Sequence, residues 1–175
     1  SRRKTWSIEA SAVSPDAIPR ACVMADLLTP DQRSRVMKNI RGSNTAPELW
    51  VRKGLFALGF RYRLNQRQLP GTPDLVLSRY RAVIFVNGCF WHGHDCHLFR
   101  MPSTRTDFWQ SKINKNRVRD KKKNAQLRER GWRILTIWEC ALRGRTRQSP
   151  DMLLQSAASW IRSQREILEI SGTEK

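Results

Sequence analysis

The tightest constraint on this chain is a group of metal-ligand residues in its middle. Cys89, His94 and Cys96 fall within eight residues, and Cys140 closes the apolar run Ile134-Leu135-Thr136-Ile137-Trp138 further along. The pattern Cys89-x4-His94-x-Cys96 with Cys140 offers three sulfurs and one imidazole. That set fills a tetrahedral zinc site and leaves no open position for a substrate. Zinc bound there would tie an otherwise structureless loop to a sheet, which makes its role structural. The bland alternative is buried free cysteines beside solvent-facing histidines. His92 and His97 compete with His94 for the nitrogen position, although His97 adjoins Cys96, where a bite on one ion is awkward. Four cysteines, two of them interleaved with histidines, favour metal in a reducing compartment over disulfides.

A length of 175 residues suits one domain with a single core. Residues 1–23 lack periodicity and have no apolar segment of the signal-peptide type, so they read as a disordered extension to a domain spanning 24–175. A first helix is predicted from Pro30 to Ile40, with Thr29 as its cap. After the break Arg41-Gly42-Ser43-Asn44, Thr45-Ala46-Pro47-Glu48 has capping-box spacing. It opens a second helix carrying Leu49, Trp50, Leu55, Phe56 and Leu58 and ending at Gly59. Strands are predicted at Phe60–Asn65, Asp74–Leu77 and Ala82–Val86, the last two as a hairpin. The Cys/His loop, residues 87–98, follows. Then come a long helix from Thr106 to Arg130, a buried strand at 134–138 and a final amphipathic helix from Met152 to Ile170. That order predicts an α/β fold, a mixed sheet with helices on its faces.

Lys and Arg number 33 against 15 Asp and Glu, a formal charge of +18 and a pI near 11.1. Residues 24–175 keep 29 of the bases and 13 of the acids, so the basicity belongs to the domain. No apolar run reaches the roughly 18 residues of a membrane span, and 39% apolar content argues against wholesale disorder. Such a charge points to a polyanion, with nucleic acid as the first reading. Ten bases lie between Lys112 and Arg133, against only Asp120 and Glu129. Lys112, Lys115 and Arg119 are typical of this run, whose density fits phosphate contacts. Phe90, Trp91 and Trp109 lie in or near the metal loop and the basic helix. On a rigid cationic platform they could wedge between base pairs; as core they would only pack.

Asp74 follows Pro73 at the start of a strand, where a carboxylate facing a basic cleft suits Mg2+. By itself it could equally be a turn-capping residue. Its hairpin partner, Val83-Ile84-Phe85-Val86, carries the Val86 backbone, Asn87 and His92 towards it. With His94 assigned to zinc, His92 is the histidine left for a general base, since an unperturbed pKa of about 6.5 suits proton abstraction near neutrality. Glu48 either completes its capping box or orients a catalytic group.

Met24-Ala25-Asp26, Arg33-Ser34-Arg35-Val36-Met37, Pro70-Gly71-Thr72-Pro73-Asp74, the string Val83 to His92 with its Gly88-Cys89-Phe90-Trp91-His92, and Trp138-Glu139-Cys140-Ala141-Leu142 together resemble the very short patch repair (Vsr) DNA mismatch endonucleases. The resemblance runs from about Met24 to Arg143. It implies a restriction-endonuclease-like fold that nicks one strand 5′ to the thymine of a T:G mismatch left by deamination of 5-methylcytosine. By position, Asp74 would be the Mg2+ ligand, assisted by the Val86 carbonyl, with His92 as base and Glu48 in support. Cys89, His94, Cys96 and Cys140 would hold structural Zn2+. Phe90, Trp91 and Trp109 would form the intercalating wedge, while Met37 and Ile40 would contact the opposite groove. The expected partner is mismatched double-stranded DNA, met by a monomer in the bacterial cytoplasm at the nucleoid and not at a membrane. Mismatch-repair proteins are possible further partners that the sequence does not identify. Where the family pattern has Thr-His, this chain has Val86-Asn87, and Asn87 cannot carry a proton. A zinc-stabilised DNA-binding module without catalysis, or a dimeric restriction-type nuclease, are the alternatives.

Overall fold

The computed structural model describes residue 29 and residues 43–173. The predicted helix at 30–40, with Met37 and Ile40, lies outside the described residues, as do the extension and Cys22. The described elements run α1 (Ala46–Ala57), β1 (Arg63–Leu64), β2 (Leu75–Leu77), a 3-10 turn (Ser78–Tyr80), β3 (Ala82–Asn87), α2 (Cys89–His92), α3 (Thr106–Glu129), β4 (Arg133–Trp138), α4 (Glu139–Leu142), α5 (Pro150–Arg162) and β5 (Ile167–Ile170). The five strands form one sheet in the order β1-β2-β3-β4-β5. The first two pairings are antiparallel and the last two parallel. This is the mixed α/β architecture expected.

Register follows from side-chain alternation. Leu75, Ile84 and Leu135 stand in line across β2, β3 and β4, as do Val76, Val83 and Ile134 one residue over. Because successive strand residues face opposite sides, the first line joins the core under α1 and α5 with Val51, Leu55, Leu153 and Ile161. The second joins Phe85 and Leu127 on the other face, under α3. A slip of one residue would exchange the two cores.

Three boundaries differ from expectation. The strand predicted at Phe60–Asn65 shrinks to Arg63–Leu64: the Phe60 amide turns back to the Leu55 carbonyl to close α1, and Asn65 adopts a left-handed φ of 45°. The helix predicted at Met152–Ile170 is two elements. It starts at Pro150, where the Ser149 hydroxyl caps the Met152 amide, and stops at Arg162. There the Arg133 guanidinium collects the carbonyls of Trp160, Ile161 and Ser163. The apolar residues beyond then extend the sheet as β5 beside β4. The Cys/His loop also contains a helical turn, α2, closed by Gly93 at φ 61°. A Cβ there would lie 2.7 Å from Ile113 and from the Arg117 guanidinium, so only glycine lets α3 approach this closely.

Candidate active site and metal centre

β3 and β4 run parallel, so their C-terminal ends, Asn87 and Trp138, lie side by side. The turns that follow, α2 and α4, therefore carry Cys89 and Cys140 to the same place. The ligand atoms of Cys89, His94, Cys96 and Cys140 all lie within 4.8 Å of one another, and Cys140 Sγ is 3.6 Å from His94 Nδ1. Tetrahedral zinc with bonds of about 2.0–2.3 Å places its ligands roughly 3.5–3.8 Å apart; the Cys140–His94 separation lies in that range, and three sulfurs with one imidazole are the donor chemistry the ion takes. Cys140 is pushed down to about 5, chiefly by the hydrogen bond from Cys89 and then by the Gly172 amide, while the Cys89 thiol is pushed up. Closely packed sulfurs cannot all ionise without a cation between them. His97 is not in the set: its Nδ1 meets the Thr146 hydroxyl at 3.3 Å. His92 is not in the set either, since its Nδ1 meets Asp120, so His94 is the histidine that the fold groups with the three cysteines.

Asp74 stands just before β2, and its Oδ2 accepts from the Val86 amide at 2.8 Å. The backbone group of Val86 that meets Asp74 is therefore the N–H. Burial pushes the Asp74 carboxyl up to about 6; the Val86 amide opposes this, Glu48 adds to it, and Arg52 and Lys123 oppose it. A half-buried carboxylate with a second carboxylate nearby is short of positive charge, and a hard, oxygen-seeking ion such as Mg2+ would supply it.

Glu48 is buried at 5% exposure. It accepts from the Asn44 amide at 2.9 Å, the Thr45 hydroxyl at 2.8 Å and Arg52 at 2.9 Å. The expected capping box is replaced by a different arrangement: the Thr45 hydroxyl donates to Glu48 and does not cap the helix amides, and Glu48 takes the Asn44 amide as its backbone donor. Glu48 closes the start of α1 and also charges the surroundings of Asp74.

His92 ends α2, and its Nδ1 lies 2.5 Å from Asp120 Oδ2. The other oxygen of Asp120 pairs with Lys123 at 2.8 Å. Burial would raise the Asp120 pKa, but hydrogen bonds from His92 and Lys123 outweigh it and hold the group below the usual carboxylate range. An ionised Asp120 on Nδ1 leaves the Nε2 face of His92 for a proton acceptor's work. In the sequence alone, Asp120 is one acid among many bases. A signal was there: Ile113, Asp120 and Leu127 are spaced by seven, so Asp120 sits on the stripe whose other two members are the buried residues of α3.

The basic run divides by task. Arg133 caps carbonyls inside the fold and is no phosphate contact. The Arg117 guanidinium bonds the Gly93 carbonyl, and Lys123 lies over the Phe85 ring. Lys112, Lys115, Arg119 and Lys122 recur along one exposed face of α3. Of the three expected wedge residues, Phe90 is buried at 5% exposure and forms the floor of a cluster. Trp91 and Trp109 pack edge-on against it, with centroids at 5.2 and 5.3 Å. Lys112 Nζ is 5.3 Å from the Trp91 ring and 5.5 Å from Trp109. Asn116 fixes the Trp91 carbonyl at 2.8 Å. Asn87 is half-buried at the end of β3.

Comparison with known proteins gives a consistent picture. A family model described as DNA mismatch endonuclease Vsr matches residues 25–98. The DNA mismatch endonuclease Vsr of Escherichia coli is 45% identical over 138 residues, covering 79% of this chain and 88% of that protein. The type II nicking enzyme V.XorIIP of Xanthomonas oryzae pv. oryzae is 47% identical over 119 residues, covering 68% and 88%. The type II nicking enzyme V.NmeAIP of Neisseria meningitidis is 46% identical over 122 residues, covering 70% and 87%.

Proposed function

The chain belongs to the Vsr family of DNA mismatch endonucleases, and from that membership we propose that it nicks one strand of a duplex 5′ to the thymine of a T:G mismatch. As a family member it is a DNA endonuclease acting on phosphodiester bonds. Among its described residues no helix is long and apolar enough to cross a membrane. The bacterial cytoplasm, at the nucleoid, is the setting this reading implies. The observation that carries it is a chain of contacts near the C-terminal end of β3: the Val86 amide holds the carboxyl of Asp74, Lys123 acts on Asp74 and pairs with Asp120, and Asp120 holds His92.

Asp74 would hold Mg2+, with the Val86 carbonyl as a second oxygen. The ion would supply Lewis-acid activation of the scissile phosphate and stabilise the leaving oxygen. His92, oriented by Asp120, accepts the proton of the attacking water. Glu48, anchored by Arg52, keeps the Asp74 surroundings negative and therefore selective for a cation. Lys123 screens Asp120 from Asp74. Asn87 can bond a phosphate oxygen or water but cannot move a proton, so proton transfer rests on His92. Cys89, His94, Cys96 and Cys140 would hold Zn2+ and keep α2 in place. Trp91 and Trp109, floored by Phe90, present aromatic surface that can enter an unstacked step. A T:G wobble is easier to unstack than a matched pair, which favours mismatched substrate.

The test is a nicking assay on T:G, T:A and C:G duplexes with each strand labelled separately, with and without Mg2+. The expected result is one Mg2+-dependent cut beside the thymine of T:G alone. Cuts in both strands of matched DNA, or binding with no cut, would overturn the proposal.

A further inference from the structure

The entrance to α3 carries an aromatic–cation pair that neither the zinc site nor the carboxylate site uses. Phe108, in the first turn of the helix, is 46% exposed, and its ring packs edge-on against Trp109 at 5.3 Å. The Arg105 guanidinium lies 4.8 Å from the Phe108 centroid, and Lys112 Nζ is 5.7 Å away. Arg105 is exposed and forms no ion pair among the described residues. It also holds a left-handed backbone, φ 54° and ψ 41°, as the residue that opens α3. A β-carbon disfavours that conformation, and an arginine has no capping side chain to justify the position.

A guanidinium resting on an aromatic ring loses part of its hydration and freedom there. The donors along its edge stay open for two oxygens of one anion. The ring beneath it adjoins Trp109, and Lys112 reaches Phe108, Trp91 and Trp109 alike. We propose that Arg105, braced on Phe108, is a phosphate clamp that grips the DNA backbone next to the Trp91–Trp109 platform. The inference rests on the duplex-nicking reading and adds a binding residue pair to it. The clamp would set where the strand lies before any base is unstacked, and so would act on matched and mismatched duplexes alike.

Arg105→Gln, Arg105→Lys and Phe108→Leu would be compared with the unaltered protein in Mg2+-free buffer. Binding to a labelled T:G duplex and to its T:A counterpart would be measured over a range of salt. Circular dichroism would confirm that each variant is folded. Arg105→Gln is expected to weaken both duplexes by about threefold to tenfold and to lower the salt slope by about one. Arg105→Lys keeps the slope but not the full affinity. Phe108→Leu weakens both duplexes with the aromatic brace gone. An unchanged slope in Arg105→Gln, a loss confined to the mismatched duplex, or normal affinity in Phe108→Leu would each overturn the clamp. An unaltered protein that neither binds nor nicks a duplex would sink the parent reading instead, so the two failures are distinguishable.

Discussion

On one face of the sheet, Leu55, Leu75, Leu77, Ile84, Leu135, Ile137, Leu153 and Ile161 are fully enclosed beneath α1 and α5. On the other, the core under α3 is Val76, Val83, Phe85, Leu127 and Ile134. α3 spans 24 residues, yet only Ile113 and Leu127 are buried along it. Two such side chains contribute roughly 3–6 kcal/mol, which is small against ordering a helix of that length. Specific contacts make up the difference. Asn116 and Arg117 bond carbonyls of the metal loop, Asp120 meets His92, and Lys123 covers Phe85. Stability is concentrated on the first face, so the second is left free to carry charge, aromatic surface and His92, the residue proposed as the base. Zinc held by this cluster would matter beyond its own loop, because that loop is what α3 docks on.

This division can be broken in order of effect. Cys140→Ala, or removal of the ion by a chelator, should cost several kcal/mol, with hydrogen exchange accelerating first along α2 and α3 and only later along α1 and α5. Uniform acceleration would mean that the faces are not independent. Leu55→Ala and Leu127→Ala should each lose about 2–5 kcal/mol in urea unfolding. The larger loss is expected for Leu55 in the denser core, and a larger loss at Leu127 would reverse the comparison.

Asp74 gives a pH-dependent test. Its native pKa of about 6 lies above the ordinary 3.8, so the native state holds this proton more tightly than the unfolded chain. Its contribution to stability is therefore fully present below pH 4 and lost as pH rises through 6. Asp74→Asn in Mg2+-free buffer should thus be more stable than the parent by roughly 1–3 kcal/mol at pH 8, the gain vanishing below pH 4. A gain that persists at low pH would rule out the ionisation argument. Smallest is the exposed Arg128–Glu166 pair at 3.1 Å, which joins α3 to the start of β5. Arg128→Ala should change stability by less than about 0.5 kcal/mol, and a larger effect would mean that α3 depends on this exposed contact too.

Most of the first face was legible in the amino-acid pattern, since Leu55, Ile84, Leu135 and Leu153 announce their elements by period. The grouping of Cys89, His94, Cys96 and Cys140 was legible because metal-ligand chemistry needs a narrow residue menu at close spacing, and the geometry leaves His92 and His97 outside it. β5 was not legible. Ile167, Leu168 and Ile170 continue the apolar content of α5, and the stop at Arg162 is made by Arg133, a residue remote in sequence. Asp120 was hidden by its neighbours: within a run of lysines and arginines an acid reads as charge balance, and only its seven-residue spacing from Ile113 and Leu127 marks it. Arg133 misled for the same reason in reverse, because its place in the basic run concealed a half-buried cap. Phe90 shows that an aromatic expected to form a wedge can occupy a core position.

Asp74 is proposed to serve the chemistry and not the grip on DNA. Asp74→Ala and the unaltered protein would be compared on the T:G duplex, following strand-resolved nicking with Mg2+ and affinity without it. The expected result is a nicking rate lower by about a thousandfold or more, as removal of a metal-activated phosphoryl step implies, with duplex affinity unchanged within about threefold, since phosphate contacts elsewhere carry it. Nicking at an undiminished rate, or a loss that lies wholly in binding, would contradict it.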